Sequence, residues 1–131
     1  MRVLALDYGS ARTGVAVSDE TGTLARPVGV VERASSKAGL ERVAALVAEH
    51  GAERVVVGLP LTLKGERGEQ ARETEAFAEA LAAAVSVPVE LYDERFTTTL
   101  ASRTPSRDMP EDALAAAHLL AGYLEHVSSG A

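Results

Sequence analysis

The sequence contains no cysteine and no tryptophan, and it has only two phenylalanines and three tyrosines. The absence of cysteine excludes disulfide bonds, thiolate zinc sites and cysteine nucleophiles, and nothing points to an oxidising compartment. With so few aromatic rings, the core must be built from Ala, Val and Leu. The three histidines fall on two helical stretches without metal-ligand spacing, which argues against a histidine metal site; they are His50, His118 and His126.

Long apolar runs and positive charge are also scarce. No stretch approaches the roughly 20 apolar residues of a membrane span, and the first apolar segment meets Asp7 too early for a signal peptide. We therefore expect a cytoplasmic protein with no membrane partner. A net charge of −6, from 13 basic and 19 acidic residues, argues against tight non-specific binding to a nucleic acid backbone. Residues 95–107 are a local exception, since they carry three arginines and no acid.

The order of apolar segments predicts an α/β fold. A chain of 131 residues is expected to form one domain over residues 1–131, too short for two lobes around a cleft. Three extended segments come first, "RVLALD", "GVAVSD" and "LARPVGVVE", and Pro27 indicates an irregular or edge position for the third. A helix from Lys37 to His50, the strand "RVVVGLP", a helix from about Gly68 to Val85, the strand "VPVELY" and a helix from Asp108 to about His126 follow. This order predicts a meander that leads into crossover units.

Acidic residues stand where predicted strands end. Asp7 closes the first strand and precedes the loop "YGSARTG", and Asp93 and Glu94 close the fifth strand. Ligands of parallel α/β sheets gather at the carboxyl ends of strands, so an acid there is well placed for chemistry. Because side chains alternate across a strand, only one of Asp93 and Glu94 should face a neighbouring strand-end acid. The alternative for Asp7 is a turn-capping role. The alternatives for Asp93 and Glu94 are pairing with Arg95 or capping of the short turn "TTTLAS".

Asp112 occupies a position that helix capping does not require. Asp108 and Glu111 have the spacing of a capping box, so Asp108 is the expected N-cap. At about 100° per residue, Asp112 falls in line with the apolar face of the last helix, which holds Ala116, Leu119 and Tyr123. A carboxylate on that face is costly unless it is paired, hydrogen-bonded or bound to a cation. Stabilisation by the helix dipole is the alternative, although it does not explain the direction of the side chain.

Carboxylates from two strand ends and one helix start could converge in space, and they would repel one another unless a positive charge lay between them. Oxygen ligands without Cys or His suit a hard cation, Mg²⁺ or Mn²⁺. A pair of such ions about 4 Å apart can activate water and stabilise the leaving oxygen in phosphodiester hydrolysis. These residues thus favour a metal-dependent nuclease.

Four motifs, in this order and spacing, closely resemble the YqgF/RuvX family: "LALDYGSARTGVAVSD", "VVVGLPLTLKGERGEQA", "DERFTTTLA" and "DALAAAHLLAGYLE". The resemblance covers essentially the whole chain. The family belongs to the ribonuclease H-like superfamily, is related to RuvC-type Holliday junction resolvases, and is described as a pre-16S rRNA nuclease. The resemblance implies an α/β, RNase H-like fold with a five-stranded mixed sheet, in which a three-strand antiparallel meander joins two parallel strands, flanked by helices.

The resemblance also implies roles for individual residues. Asp7, Glu94 and Asp112 correspond to the catalytic carboxylates and metal ligands, with Asp93 as a neighbour. The first loop matches at Arg12 and Gly14. The second loop matches at Gly58, Pro60, Gly65 and Gly68. The expected substrate-binding residues are Arg12, Arg95, Thr97, Thr98, Lys64 and Arg67, although solvated loop charges are an equal alternative for Lys64 and Arg67.

The function that this resemblance implies is processing of the 5′ end of pre-16S rRNA by an endonuclease with Mg²⁺ or Mn²⁺. The expected partner is structured RNA or a ribosomal particle, and the expected assembly is a monomer or homodimer. Cleavage of branched DNA by the same chemistry is the runner-up. An actin-type ATPase is disfavoured by the chain length, and a non-catalytic nucleic-acid-interaction domain is disfavoured by the presence of all three carboxylates.

Overall fold

A computed structural model of the chain describes residues 1–60, 68–93 and 109–130, except for the side chains of residues 128–130. The elements in these ranges follow the predicted order. They are β1 (Val3–Asp7), β2 (Arg12–Ser18), β3 (Ala25–Glu32), α1 (Lys37–Glu49), β4 (Arg54–Leu59), α2 (Glu69–Ala84), β5 (Val89–Asp93) and α3 (Glu111–Gly130).

The five strands form one mixed sheet in the order β3-β2-β1-β4-β5. The pairs β1–β2 and β2–β3 are antiparallel, and the pairs β1–β4 and β4–β5 are parallel. The predicted meander with two parallel strands is therefore confirmed. β3 lies at one edge of the sheet. Pro27 predicted this position, because a proline has no N–H to donate to a second neighbouring strand. The register between β2 and β3 shifts between Val15 and Ala16, next to Pro27.

Helices cover both faces of the sheet because the strand side chains alternate. Leu4 and Leu6 of β1 pack in the apolar cluster that includes Val43 of α1 and Phe77 of α2. The alternate residues Val3 and Ala5 pack in a second cluster, with residues of α3. The sheet is therefore a central layer, with α1 and α2 on one face and α3 on the other.

The first helix has the ends that the sequence predicts. The Ser36 hydroxyl accepts a hydrogen bond from the Gly39 N–H at 3.0 Å, which satisfies one of the donors left open at a helix start. After the helix, Gly51 adopts a φ of 61°, the left-handed conformation that commonly ends helices. The predicted helix from Lys37, with its stop at Gly51, is confirmed.

The last helix differs from the prediction at both ends. The Pro110 carbonyl accepts from the N–H groups of Ala113 and Leu114 at 3.0 and 3.1 Å, so the first turn begins after Pro110. The predicted start at Asp108 was therefore too early, because Glu111 is the first helical residue and not the third, as a capping box requires. Asp108 itself lies outside the described residues. The backbone stays helical to Gly130 instead of fraying after His126, since helix ends are weakly specified by local sequence.

The apolar face predicted for α3 is confirmed. It packs on β1, β2 and β3, and the residues in contact with the sheet are buried: Ala113, Ala116, Leu119, Leu120 and Tyr123. Within the described ranges, neither α3 nor another helix combines the length and apolar character needed to cross a membrane.

Candidate active site beside the central strands

Asp7 lies on the face of the sheet that α3 covers. Two positions earlier, Ala5 packs in the cluster with α3, and side chains two apart on a strand point the same way. The next residue, Tyr8, points to the other face and stacks on Phe77 of α2 with ring centroids 4.5 Å apart. The half-buried Asp7 carboxylate is thus directed towards the start of α3.

Gly14 brings the start of α3 next to Asp7. Gly14 and Asp7 are directly opposite each other in the antiparallel pair β1–β2. Their Cβ positions therefore point to the same face of the sheet and lie about 5 Å apart. A Cβ atom added at Gly14 would overlap the carbonyl group of Asp112 and lie 3.0 Å from the Ala113 nitrogen. The first turn of α3 therefore occupies the place of a side chain beside Asp7.

Asp112 lies in this first turn, where the helix dipole favours an acid. Its side chain is 36% exposed and forms an ion pair with Arg12, with 3.3 Å between Nε and Oδ2. The expected alignment of Asp112 with the apolar face of α3 is confirmed, and Asp112 lies at the solvent-exposed edge of that face. The desolvation cost expected for a core-facing carboxylate is reduced both by this exposure and by the guanidinium.

Glycine also stands on the other side of Asp7. Gly58 of β4 follows Val57, the partner of Leu6, so it is level with Asp7. It faces α3, because Val56 two positions earlier packs in the α3 cluster. The first turn of α3 fills the β2 side of Asp7, whereas no side chain from Gly58 fills the β4 side.

The fifth strand separates Asp93 from this face. Tyr92 packs in the cluster with α3, so Asp93, the next residue, points to the face covered by α1 and α2. Of the nine predicted site residues, the structure thus brings together Asp7, Arg12 and Asp112. The other six lie outside the described residues, as does Gly65: Lys64, Arg67, Glu94, Arg95, Thr97 and Thr98.

Comparison with known sequences identifies the family. A family model described as "RuvX: Holliday junction resolvase" matches residues 1–126. The chain belongs to the RuvX family. The resemblance drawn from the four motifs is confirmed, and membership makes the chain an enzyme, a hydrolase of the nuclease class.

Two RuvX relatives show how far the similarity extends. A protein of Chloroflexus aurantiacus is 40% identical, over 94% of this chain and 86% of its own. A protein of an Anaeromyxobacter species is 44% identical, over 95% of this chain and 97% of its own. Both are named, provisionally, as pre-16S rRNA nucleases.

Solved structures confirm the RNase H-like fold expected of a RuvX protein. Thermus thermophilus RuvC, in complex with a Holliday junction substrate, superposes with a TM-score of 0.69, at 18% identity over 99% of this chain and 96% of that one. Fowlpox virus resolvase, in complex with Holliday junction DNA, gives 0.59 at 12% identity over 97% and 99%. At these identities the likeness concerns the fold alone.

Sequence reasoning missed one residue of this RuvX protein at the end of the sheet that holds the candidate site. Arg33, just after β3, donates its backbone N–H to the carbonyl of Ala11 in the loop before β2, at 3.0 Å. It adopts a φ of 48°, uncommon for a residue with a side chain. Nothing in a single sequence marks an arginine for this conformation; the following serines indicate only that a helix begins.

The acids of the RuvX fold offer two described ligands for a cation. Asp7 and Asp112 supply carboxylate oxygens, the donors that Mg²⁺ and Mn²⁺ prefer. Over residues 1–60, 68–93 and 109–130, no group of three or more acidic, histidine or cysteine side chains could hold a metal ion. The third predicted ligand, Glu94, lies outside those ranges.

A cavity of about 720 Å³ lies away from these acids. Its lining includes Arg2 and Ser18, at the start of β1 and the end of β2, and His50 at the end of α1. Asp7 is at the opposite end of β1, about 14 Å away at the usual strand rise. The cavity is therefore separate from the candidate active site.

Proposed function

We propose that this RuvX protein is a divalent-metal-dependent endonuclease that hydrolyses phosphodiester bonds at the 5′ end of pre-16S rRNA. The observation that carries the proposal is the meeting of Asp7 and Asp112, from β1 and α3, through Gly14. The names of the two bacterial relatives support ribosomal RNA as the substrate.

The proposed metal ligands are Asp7, Asp112 and Glu94. The family resemblance supports Glu94, and the position of Tyr92 on the α3 face argues against Asp93, because the next residue along a strand points to the opposite face. Mg²⁺ or Mn²⁺, as a pair of ions, would supply an activated water and neutralise the leaving oxygen. The carboxylates would hold the ions, so no side-chain nucleophile is needed.

Arg12 has the proposed role of holding a phosphate at the site. Its guanidinium already reaches the Asp112 carboxylate and is 63% exposed, so it can turn to a substrate phosphate once a cation neutralises the acid. A planar guanidinium matches phosphate oxygens with two parallel hydrogen bonds. The family resemblance adds Arg95, Thr97 and Thr98 as proposed substrate-binding residues. Lys64 and Arg67 are proposed from their place in the polar, Gly-rich stretch of sequence after the fourth strand.

The proposed setting is the cytoplasm, where the protein would act as a single domain on structured RNA or a ribosomal particle. The net charge of −6 opposes tight binding to free nucleic acid. A folded particle that presents the cleavage site would supply affinity that the chain lacks. Cleavage of one RNA strand needs one active site, which a monomer provides.

Cleavage of branched DNA is the second candidate. The family description, Holliday junction resolvase, supports it. Symmetric cleavage of a four-way junction needs two active sites, so this function requires a homodimer. The oligomeric state in solution therefore separates the two candidates.

The deciding experiment offers three substrates to the parent protein and to Asp7→Asn with Mn²⁺ present: a precursor rRNA fragment, an unstructured RNA and a four-way DNA junction. The parent should cleave the precursor fragment in preference to the other two. Asp7→Asn should fold and cleave none of them. Equal metal-dependent cleavage by both proteins would overturn the proposed site, and preferred cleavage of the junction would assign the second candidate function.

A further inference from the structure

Most arginines of the described chain are paired with acids. The ion pairs are Arg2 with Glu20, Arg12 with Asp112, Arg42 with Glu49 and Arg54 with Glu90. Arg33 and Lys37 are exposed, and neither forms an ion pair with any described residue. The same holds for Arg26 and Arg72, but of these four cations Arg33 and Lys37 are the two that stand close together in the chain. Two uncompensated cations close together are notable in a protein with a net charge of −6.

These cations lie at the same end of the sheet as the candidate active site. Arg12 of β2 pairs with Glu32 of β3, and Arg33 follows Glu32 and binds the carbonyl of Ala11. Val30 of β3 is level with Asp7, two strands away. With strands about 4.8 Å apart and Arg33 three residues beyond Val30, the backbone of Arg33 lies about 14 Å from that of Asp7. Lys37 is the first residue of α1, which covers the face of the sheet opposite the acids.

The turn that carries Arg33 is firmly held. Its carbonyl accepts from the Ser36 N–H at 2.9 Å and from the Ser36 hydroxyl at 2.7 Å. A Cβ atom at Gly39 would overlap that carbonyl, so α1 packs directly on the turn. Residues in sparsely populated backbone conformations persist where their surroundings impose them, and they cluster at functional sites.

We propose that Arg33 and Lys37 form a basic arm that binds the phosphodiester backbone of the substrate strand beside the scissile bond. The inference rests on the proposed nuclease function and extends it to residues outside the acid site. Backbone phosphates are the fitting ligand, because the arm begins about 14 Å from Asp7 at the same end of the sheet, where a strand that extends from the scissile bond can pass. Glu32 directly precedes Arg33 and weakens the positive potential of the arm, so both cations are needed.

The test measures binding without cleavage, in Asp7→Asn protein with Mg²⁺ present. The probes are a fluorescein-labelled RNA hairpin with a single-stranded 5′ extension and a labelled four-way DNA junction. The test protein carries Arg33→Gln and Lys37→Gln, and Arg33→Lys keeps the charge. Arg26→Gln is the matched control, because Arg26 is also exposed and without an ion pair to a described residue, but lies at the far end of β3, about 20 Å away.

The double substitution should weaken binding about tenfold at moderate salt, because two charge-assisted phosphate contacts are lost. On the single-stranded extension, the slope of log K against log salt should become shallower by about 1.4, about 0.7 for each contact. Arg26→Gln should stay within about twofold of its parent, and Arg33→Lys should retain the parental slope. A loss on both probes identifies the shared backbone as the ligand, and a loss on one identifies the physiological source.

The proposed role of the arm would be overturned if the double variant bound as tightly as Arg26→Gln and showed an unchanged salt slope. The two proposals can fail separately. If the parent protein cleaves no substrate but the double variant loses binding, the nuclease site is refuted and the basic arm is still supported. Circular dichroism melting checks that each protein folds. Should Arg33→Gln not fold, Arg33→Asn replaces it, because asparagine tolerates the left-handed conformation.

Discussion

Gly14 of β2 and Asp112 of α3 approach so closely that no side chain fits between strand and helix. Because Gly14 is also the strand partner of Asp7, this contact sets the separation of the two acids. Gly14, which has no side chain, thereby controls the geometry of the candidate active site.

Gly14→Ala should impair cleavage more than it impairs folding. The added Cβ meets backbone atoms, which cannot rotate away, so α3 must shift from β2 at a cost of about 1–3 kcal/mol in unfolding free energy. A shift of about 1 Å at Asp112 is expected to lower the cleavage rate about a hundredfold. Denaturant unfolding and cleavage assays measure the two effects.

Gly29→Ala is the matched control for that substitution, since a Cβ there meets nothing within 4 Å. It should leave stability and cleavage close to the parental values. Equal cleavage by the Gly14→Ala and Gly29→Ala proteins would show that the contact with Asp112 does not position the acids.

Mg²⁺ or Mn²⁺ should raise the melting temperature of the parent protein. An ion that binds only the folded state stabilises it by mass action, by about 2.7 kcal/mol at a free concentration of 100 times its dissociation constant. Asp7→Asn and Asp112→Asn should each remove most of this increase. Scanning calorimetry with Mg²⁺, Mn²⁺ and a chelator measures it, and identical shifts in parent and variants would place the ion elsewhere.

Arg12→Gln should lower cleavage about tenfold or more, because the guanidinium no longer holds a phosphate, and should change stability by less than about 1 kcal/mol, as expected for an exposed ion pair. Arg42→Gln is the control: Arg42 forms a comparable exposed pair with Glu49 at 3.7 Å on α1. Steady-state cleavage kinetics that show the same loss in both variants would contradict a specific role for Arg12.

Asp19, in the turn after β2, should titrate well below an ordinary aspartate. Hydrogen bonds from the Thr21 hydroxyl and the N–H groups of Leu24 and Thr23 lower its pKa from 3.8 to about 2. A depressed carboxyl pKa contributes stability above pH 3.8, and this contribution is lost as the pH falls through about 2. Carboxyl carbon NMR should show this midpoint, and Thr21→Val should raise it; a parental midpoint near 4 would refute the turn geometry.

Local patterns predicted much of the fold. Apolar periodicity located the strands and helices, Pro27 indicated the edge strand, and the helical spacing of Asp112 with Ala116 gave its direction. These features depend on residues close in sequence, whose geometry the backbone fixes. The start of α3 was mispredicted because Asp108 and Glu111 matched the spacing of a capping box. In the structure, the first helical turn begins only after Pro110.

Contacts between segments far apart in the chain could not be predicted from the sequence. Alternation predicted that one of Asp93 and Glu94 would face the acids, but only the packing of Tyr92 against α3 shows that Asp93 faces away. The approach of Gly14 to Asp112 joins segments far apart in the chain, and no local rule encodes it. The conformation of Arg33 depends on Ala11 and Ser36, which belong to two different elements.

Asp7 belongs to the first strand and Asp112 to the last helix, so the two acids are 105 positions apart (112 minus 7). During translation the amino-terminal acid emerges long before its counterpart has been made. A nascent or prematurely terminated polypeptide without α3 would lack the Asp112 carboxylate and the helix that covers the sheet face beside Asp7. If Asp7 and Asp112 both hold the metal ions, as proposed, the capacity to cleave appears only after α3 has been synthesised.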